Sequence, residues 1–296
     1  MVGSMTRRAG LVALGGSVLC ACSPLSLFAT FTPKDAARTR ERGVAYGPLE
    51  RQGLDVYAPS EATQGEPAPV AVFFYGGSWD SGRRQDYGWV GRALAAQGFL
   101  TIVPDYRLYP EVRYPGFVED GALAVRWTVE HARARGGDPA RIVLVGHSAG
   151  AYIAAMLALD DRYLAAVGVD PKTVRAFAGL SGPYDFLPLD GPITRRTFGD
   201  ASDLPSTQPG RYARADSPPA FLATGDGDTT VKPRNTKALA AALRAKGAAV
   251  EERHYEGLNH ADTVLALSRP FRGKAPVLAD MTSFLKARVD HAPAPS

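Results

Sequence analysis

The residue of this chain best placed to do covalent chemistry is a serine framed by glycines at the end of an aliphatic run. In Arg141 to Gly150, RIVLVGHSAG, residues Ile142, Val143, Leu144 and Val145 read as a strand buried on both faces, and Ser148 sits where that strand stops. Gly146 and Gly150 flank the serine two residues to either side, as a sharp strand-to-helix turn requires, because no Cβ then clashes while Oγ is held exposed. The following AYIAAMLALD is a good helix former, which places the serine at a helix N-terminus. This is the nucleophile-elbow pattern, suited to attack on a carbonyl carbon.

A serine hydroxyl needs a base within hydrogen-bond reach, and that base is usually an imidazole. Of the five histidines, His131 falls in a helix, His147 precedes the serine and is expected to point away from it, His254 falls in a strand and His291 in the tail. His260 remains, in the loop Gly257-Leu258-Asn259-His260 just past the last strand, the edge of a parallel sheet where sites form. The base needs a carboxylate to orient it. Asp216 precedes a strand, whereas Asp226 and Asp228 follow one, and the order Ser, Asp, His fits a triad of this kind. Asp228 is preferred to Asp226 because it reaches past the tight Gly225-Asp226-Gly227 turn. A calcium loop at these aspartates would need further carboxylates.

Acyl transfer also needs backbone N–H donors aimed at the developing oxyanion. Ala149, directly after the serine, supplies one. Gly76-Gly77-Ser78 follows the buried strand VAVFFY and points to the amides of Gly77 and Ser78. As an alternative, two glycines after a strand form a simple turn.

These residues require a scaffold of alternating strands and helices. Strands are expected at Val70 to Tyr75, Leu100 to Val103, Val174 to Leu180, Ala220 to Thr224 and Val250 to Tyr255, with helices around Val90 to Ala96, from Pro115, at Thr236 to Lys246 and at Val277 to Ala287. Two shorter strands, Val44 to Gly47 and Leu54 to Tyr57, are expected to pair as an edge hairpin. This order predicts an α/β domain over 44–290, a mostly parallel sheet with helices on both faces, and a cap insertion at 183–217 carrying Arg195, Arg196, Arg211 and Arg214. The net charge of +4 is spread along all 296 residues, so nucleic acid is not an expected partner. Both cysteines, Cys20 and Cys22, precede the body of the chain, which excludes a disulfide core or cysteine metal centre there; no metal or cofactor is expected.

At the N-terminus, Arg7 and Arg8 precede an apolar run, Ala9 to Leu19, too short to span a membrane, so residues 1–22 are expected to form a signal peptide. Leu19-Cys20-Ala21-Cys22 resembles a bacterial lipobox, which implies lipidation of Cys22 and a membrane-anchored, exported protein; plain secretion and an uncleaved anchor are the alternatives. Residues 23–43 read as a tether and 291–296 as a disordered tail.

From about Val70 to Leu285 the chain resembles the α/β-hydrolase superfamily, in particular hormone-sensitive-lipase-like carboxylesterases and kynurenine formamidase-like esterases. The resemblance rests on PDYRLYPE (Pro104 to Glu111), GGDPARIVLVGHSAG, SGPYDFLPL (Ser181 to Leu189), Gly-Gly-Ser-Trp at 76–79, and the loops from Gly225 to Val231 and from Gly257 to His260. The family pattern has His where this chain has Tyr75, and one branch has a third glycine at Ser78. The resemblance implies a serine esterase acting on a small-molecule ester, with an arylformamidase-type amide hydrolase as the alternative and a non-catalytic binding protein on the same fold as the third reading.

Overall fold

The computed structural model describes residues 24–60 and 66–289. In chain order the elements are α1 (Pro24–Phe31), β1 (Ala37–Ala45), β2 (Gly53–Pro59), β3 (Ala68–Phe74), α2 (Gly88–Ala96), β4 (Leu100–Pro104), α3 (Gly116–His131), β5 (Gly137–His147), α4 (Ala149–Leu159), α5 (Asp161–Ala166), β6 (Val174–Leu180), α6 (Pro192–Phe198), β7 (Ala220–Gly225), α7 (Arg234–Ala245), β8 (Val250–Tyr255), α8 (Asp262–Leu265) and α9 (Val277–Val289). The eight strands form one sheet in the order β1-β2-β4-β3-β5-β6-β7-β8. Only the β1–β2 and β2–β4 pairs are antiparallel; β4 to β8 run parallel. The mostly parallel α/β sheet expected from the alternation of strands and helices is therefore present, in keeping with the fold that the resemblance implies.

Two parts of the layout decide where chemistry can occur. The chain leaves β3 for β4 on one side and returns to β5 on the other, so the C-terminal ends of β3 and β5 open a crevice at a topological switch. The central strands are covered on both faces: Val70, Val72, Phe73, Ile142, Val143, Leu144, Val145 and Phe177 are fully buried. Such strands read as continuous apolar runs because neither face meets water.

The expected tether is not one. Its described part, residues 24–43, forms α1 and most of β1, so the folded unit includes residues 24–43 as well as those from 44 onward. Helix α1 docks through Phe28, whose ring meets Trp89 edge-on at 5.3 Å and stacks on Phe271 at 5.9 Å. Strand β1, ARTRERGVA, has no apolar alternation because it is an edge strand with two register shifts against β2, and charged residues are what such edges carry. The signal-peptide reading of 1–22, the lipidation of Cys22 and the tail at 291–296 lie outside the described residues.

The insertion at 183–217 is anchored to the body. Phe186 and Phe198 pack into a ring cluster with Trp79, Phe117 and Tyr152, and the Tyr152 hydroxyl donates to the Thr207 carbonyl at 2.7 Å. Its arginines are engaged within the protein: Arg195 with the Leu189 carbonyl, Arg196 with Asp80, Arg211 with Asp203 and Arg214 with Asp161 and Asp216.

Candidate active site

Ser148 follows the last residue of β5 and caps α4 with φ 53° and ψ −123°, a conformation few non-glycine residues adopt. The turn is possible only because its neighbours lack side chains. A Cβ on Gly146 would lie 2.2 Å from the Gly150 carbonyl oxygen, and one on Gly150 would lie 2.1 Å from that of Phe74. The α4 backbone thus passes directly over the end of β3.

His260 Nε2 lies 2.9 Å from Ser148 Oγ, and His260 Nδ1 lies 2.8 Å from Asp228 Oδ2. The other carboxylate oxygen of Asp228 accepts from the amides of Thr230 at 3.0 Å and Val231 at 2.8 Å. Burial alone would raise the Asp228 pKa; the bonds from His260, the Val231 amide and the Ser181 hydroxyl, with the charge of His260, outweigh it and hold the carboxyl below its ordinary value. Asp226, by contrast, sits at the surface against His254, and Asp216 pairs with Arg214. The geometry thus joins Asp228, rather than either neighbour, to His260.

His147 departs from expectation. Its ring does not turn away from the site: Nε2 donates to the His260 carbonyl at 3.0 Å and the two ring centroids are 5.0 Å apart, because the loop after β8 crosses back over the end of β5. Burial, reinforced by the charge of His260, lowers the His147 pKa to about 3 against the weaker opposing pull of the His260 carbonyl and Asp228, so the ring is neutral. Thr263 Oγ1 donates to the same carbonyl at 3.1 Å and lies 3.0 Å from Ser181 Oγ, which in turn reaches Asp228. A ring of neutral groups therefore closes around the imidazole and its carboxylate. Asn259 fixes the loop further, its side chain accepting from the amides of Ala261 and Asp262. Of these, His147 lay inside the quoted elbow and Ser181 opened SGPYDFLPL, but neither spacing nor residue type assigned them a task.

Across the crevice, Gly77, Ser78 and Trp79 have φ of 137°, 53° and 59°. Among the described residues, the non-glycine residues of positive φ are Ser78, Trp79, Ser148 and Ser181, and all four lie just past β3, β5 or β6 at the site. The amides of Gly77, Ser78 and Ala149 donate to no protein acceptor among the described residues, and Ala149 opens helix α4, whose N-terminus favours negative charge. The cavity in front of Ser148 holds about 290 Å³ and is lined by Ser78, Trp79, Phe186, Ile193, Val231 and Lys232 among others. Among the described residues no cluster of His, Cys, Asp and Glu is arranged to hold a metal ion.

The comparisons with known proteins agree with this architecture. The BD-FAE family model matches residues 54–243. Carboxylesterase NlhH of Mycobacterium tuberculosis is 34% identical over 262 residues, covering 80% of this chain and 79% of its own. The isoprenylcysteine alpha-carbonyl methylesterase ICME of Arabidopsis thaliana is 30% identical over 269 residues, covering 83% of this chain and 62% of its own. This chain spans between 52% and 64% of the length of the four plant methylesterases it matches first. Among solved structures, esterase B from Lactobacillus rhamnosis superposes with a TM-score of 0.79 over 90% of each chain at 20% identity, a likeness of fold.

Proposed function

The chain belongs to the BD-FAE family of α/β-hydrolases, and from that premise we propose that it is a serine carboxylic-ester hydrolase of the cell envelope. The observation that carries the reading is the continuous path from Asp228 through His260 to Ser148, with links of 2.8 and 2.9 Å. His260 donates from Nδ1 to Asp228 and accepts the Ser148 proton at Nε2 as Oγ attacks the ester carbonyl. The tetrahedral oxyanion is met by the amides of Gly77, Ser78 and Ala149, which strengthen their hold as charge develops there. The imidazolium then returns its proton to the departing alcohol, leaving an acyl-Ser148 that water, deprotonated by the same ring, hydrolyses. Asp228 stays ionised throughout, consistent with its lowered pKa.

Several outcomes test this. A fluorophosphonate probe should label the protein at Ser148, and Ser148→Ala should lose both the label and, by about 10⁴-fold or more, the turnover of p-nitrophenyl esters; a Ser148→Ala variant with near-native turnover would sink the mechanism. Faster turnover of N-formylkynurenine than of short esters would move the assignment to the amide-hydrolase alternative. The lipobox-like Cys22 supports export and anchoring, and Cys22→Ser should release the enzyme from the membrane fraction with its ester turnover unchanged.

A further inference from the structure

Helix α1 has the sequence PLSLFATF, without a charged residue on any face. One side is used: Phe28 packs on Trp89 and Phe271, Leu25 and Ala29 rest on the core, and the Ser26 hydroxyl donates to Asp86. The other side carries Leu27, 48% exposed, and Phe31, 80% exposed, one helical turn apart. They are two of the three large apolar side chains most exposed among the described residues. A helix at a protein–water boundary normally turns polar residues outward, and one that is apolar all round has both faces covered.

Two observations identify the cover. Basic groups lie beside the helix: Arg269 donates to the carbonyl of Lys34, and neither Lys34 nor Arg269 has an ion-pair partner among the described residues, whereas Arg83, bonded to Ser26, is paired with Asp86. In addition, α1 begins two residues after Cys22 and five after the apolar run ending at Leu19, so the chain has no slack with which to hold the domain away from whatever receives that segment.

We propose that the outer face of α1 is an interfacial contact with an anionic bilayer, Leu27 and Phe31 entering the headgroup–acyl boundary and Lys34 and Arg269 meeting lipid phosphates. The catalytic domain then lies on the membrane rather than on a stalk. The proposal draws on the anchoring reading only for its neighbourhood, and its test separates the two.

Full-length protein carrying Phe31→Trp is mixed with phosphatidylglycerol vesicles brominated in the acyl chains, with Cys22 intact and as Cys22→Ser. The native tryptophans Trp79, Trp89 and Trp127 are buried, and the chain without Phe31→Trp, measured alongside, supplies their background. The expected result is a blue-shifted, bromine-quenched emission from the introduced indole, weakened by high salt and by phosphatidylcholine vesicles. The partition of the Cys22→Ser chain should also fall about tenfold with Leu27→Glu and Phe31→Glu together, ester turnover staying constant. Quenching of the introduced indole in a chain that proves unlipidated leaves the docking intact and removes the anchor. A water-like, unquenched emission from it in vesicle-bound protein overturns the docking and leaves the anchor intact. A blue shift that grows with protein concentration without vesicles assigns the face to a second copy and also overturns it.

Discussion

The two walls of the crevice are held in different ways. On the wall that follows β3, the backbone is fixed by a buried network of full charges: Tyr75 Oη donates to Asp105 Oδ1 at 2.7 Å and accepts from Arg51 at 3.0 Å, while Asp105 also takes the Arg84 amide and guanidinium. Arg51 holds the Gly82 carbonyl at 2.8 Å, and Tyr106 Oη holds the Tyr75 carbonyl at 2.7 Å. On the opposite wall, His260 and Asp228 are surrounded by neutral hydroxyls and a neutral imidazole, those of Thr263, Ser181 and His147. The first wall aims amides whose charge never changes, so charged struts cost its function nothing. The second must let one imidazole gain and lose a proton, and a second titrating neighbour would spread that event over two groups.

The strongest way to break the comparison is to disturb the charge that His260 itself contacts, that of Asp228. Asp228→Asn should lower kcat by about 10³–10⁴-fold, since an amide cannot hold the imidazole in the same tautomer, while Asp226→Asn changes it little. If the two variants rank the other way round in steady-state assays, the assignment of the orienting carboxylate fails. The depressed pKa of Asp228 adds a stability effect of fixed sign: the contribution is present above the ordinary carboxyl value near 3.8 and is lost as pH falls through the lower folded value.

A smaller effect is expected from the charged wall. Tyr75→Phe removes one hydroxyl that both donates to Asp105 and accepts from Arg51, leaving the ring in place against Tyr87 and Tyr106. Burial, together with Tyr106 and Asp105, holds the phenol well above its ordinary pKa, so it is a neutral strut. The amides of Gly77 and Ser78 would then be aimed less firmly. We expect kcat about tenfold lower at nearly constant KM, with affinity for a trifluoromethyl-ketone analogue falling in parallel. A rise in KM alone would mean that this network shapes the substrate pocket instead of the oxyanion donors.

The two walls were not equally legible in the sequence. Strands β3, β5, β6 and β7 announce themselves because burial on both faces leaves apolar runs, and the placement of Ser148 beside His260 follows from strand ends alone. Asp228 could be separated from Asp226 because only one can reach past a tight turn. Charged β1 and short α1 were hidden, the first because an edge strand need not alternate and the second because eight residues give too little periodicity. His147 was misplaced because alternation along β5 gives the direction of a side chain but not which loop will fold back over it. The charged network is invisible for the same reason: Arg51, Tyr75, Arg84 and Asp105 are brought together by four separate segments.

His147 offers the most delicate test of the difference between the walls, because it is a positioning residue that never meets the reacting atoms. His147→Ala removes the donor to the His260 carbonyl and should lower kcat several-fold with KM unchanged, whereas His147→Gln, whose amide can donate to the same oxygen, should recover part of the loss. A purely structural role would lower stability without this split between the variants. The pH dependence of stability is a second, independent readout. The ring takes up a proton at about 3 in the folded protein against an ordinary value of 6.5. Between those values the unfolded chain binds a proton that the folded one refuses, so unfolding free energy rises with pH by up to about 1.4 kcal/mol per pH unit and is fully present above 6.5. Glutamine carries no such proton. The stability gap between wild type and His147→Gln should therefore close as pH falls from 6.5 toward 4 in denaturant titrations. A gap that stays constant over that range would mean that His147 takes up its proton as readily in the fold as in the unfolded chain, and the burial that keeps this neighbour of His260 neutral would have to be given up.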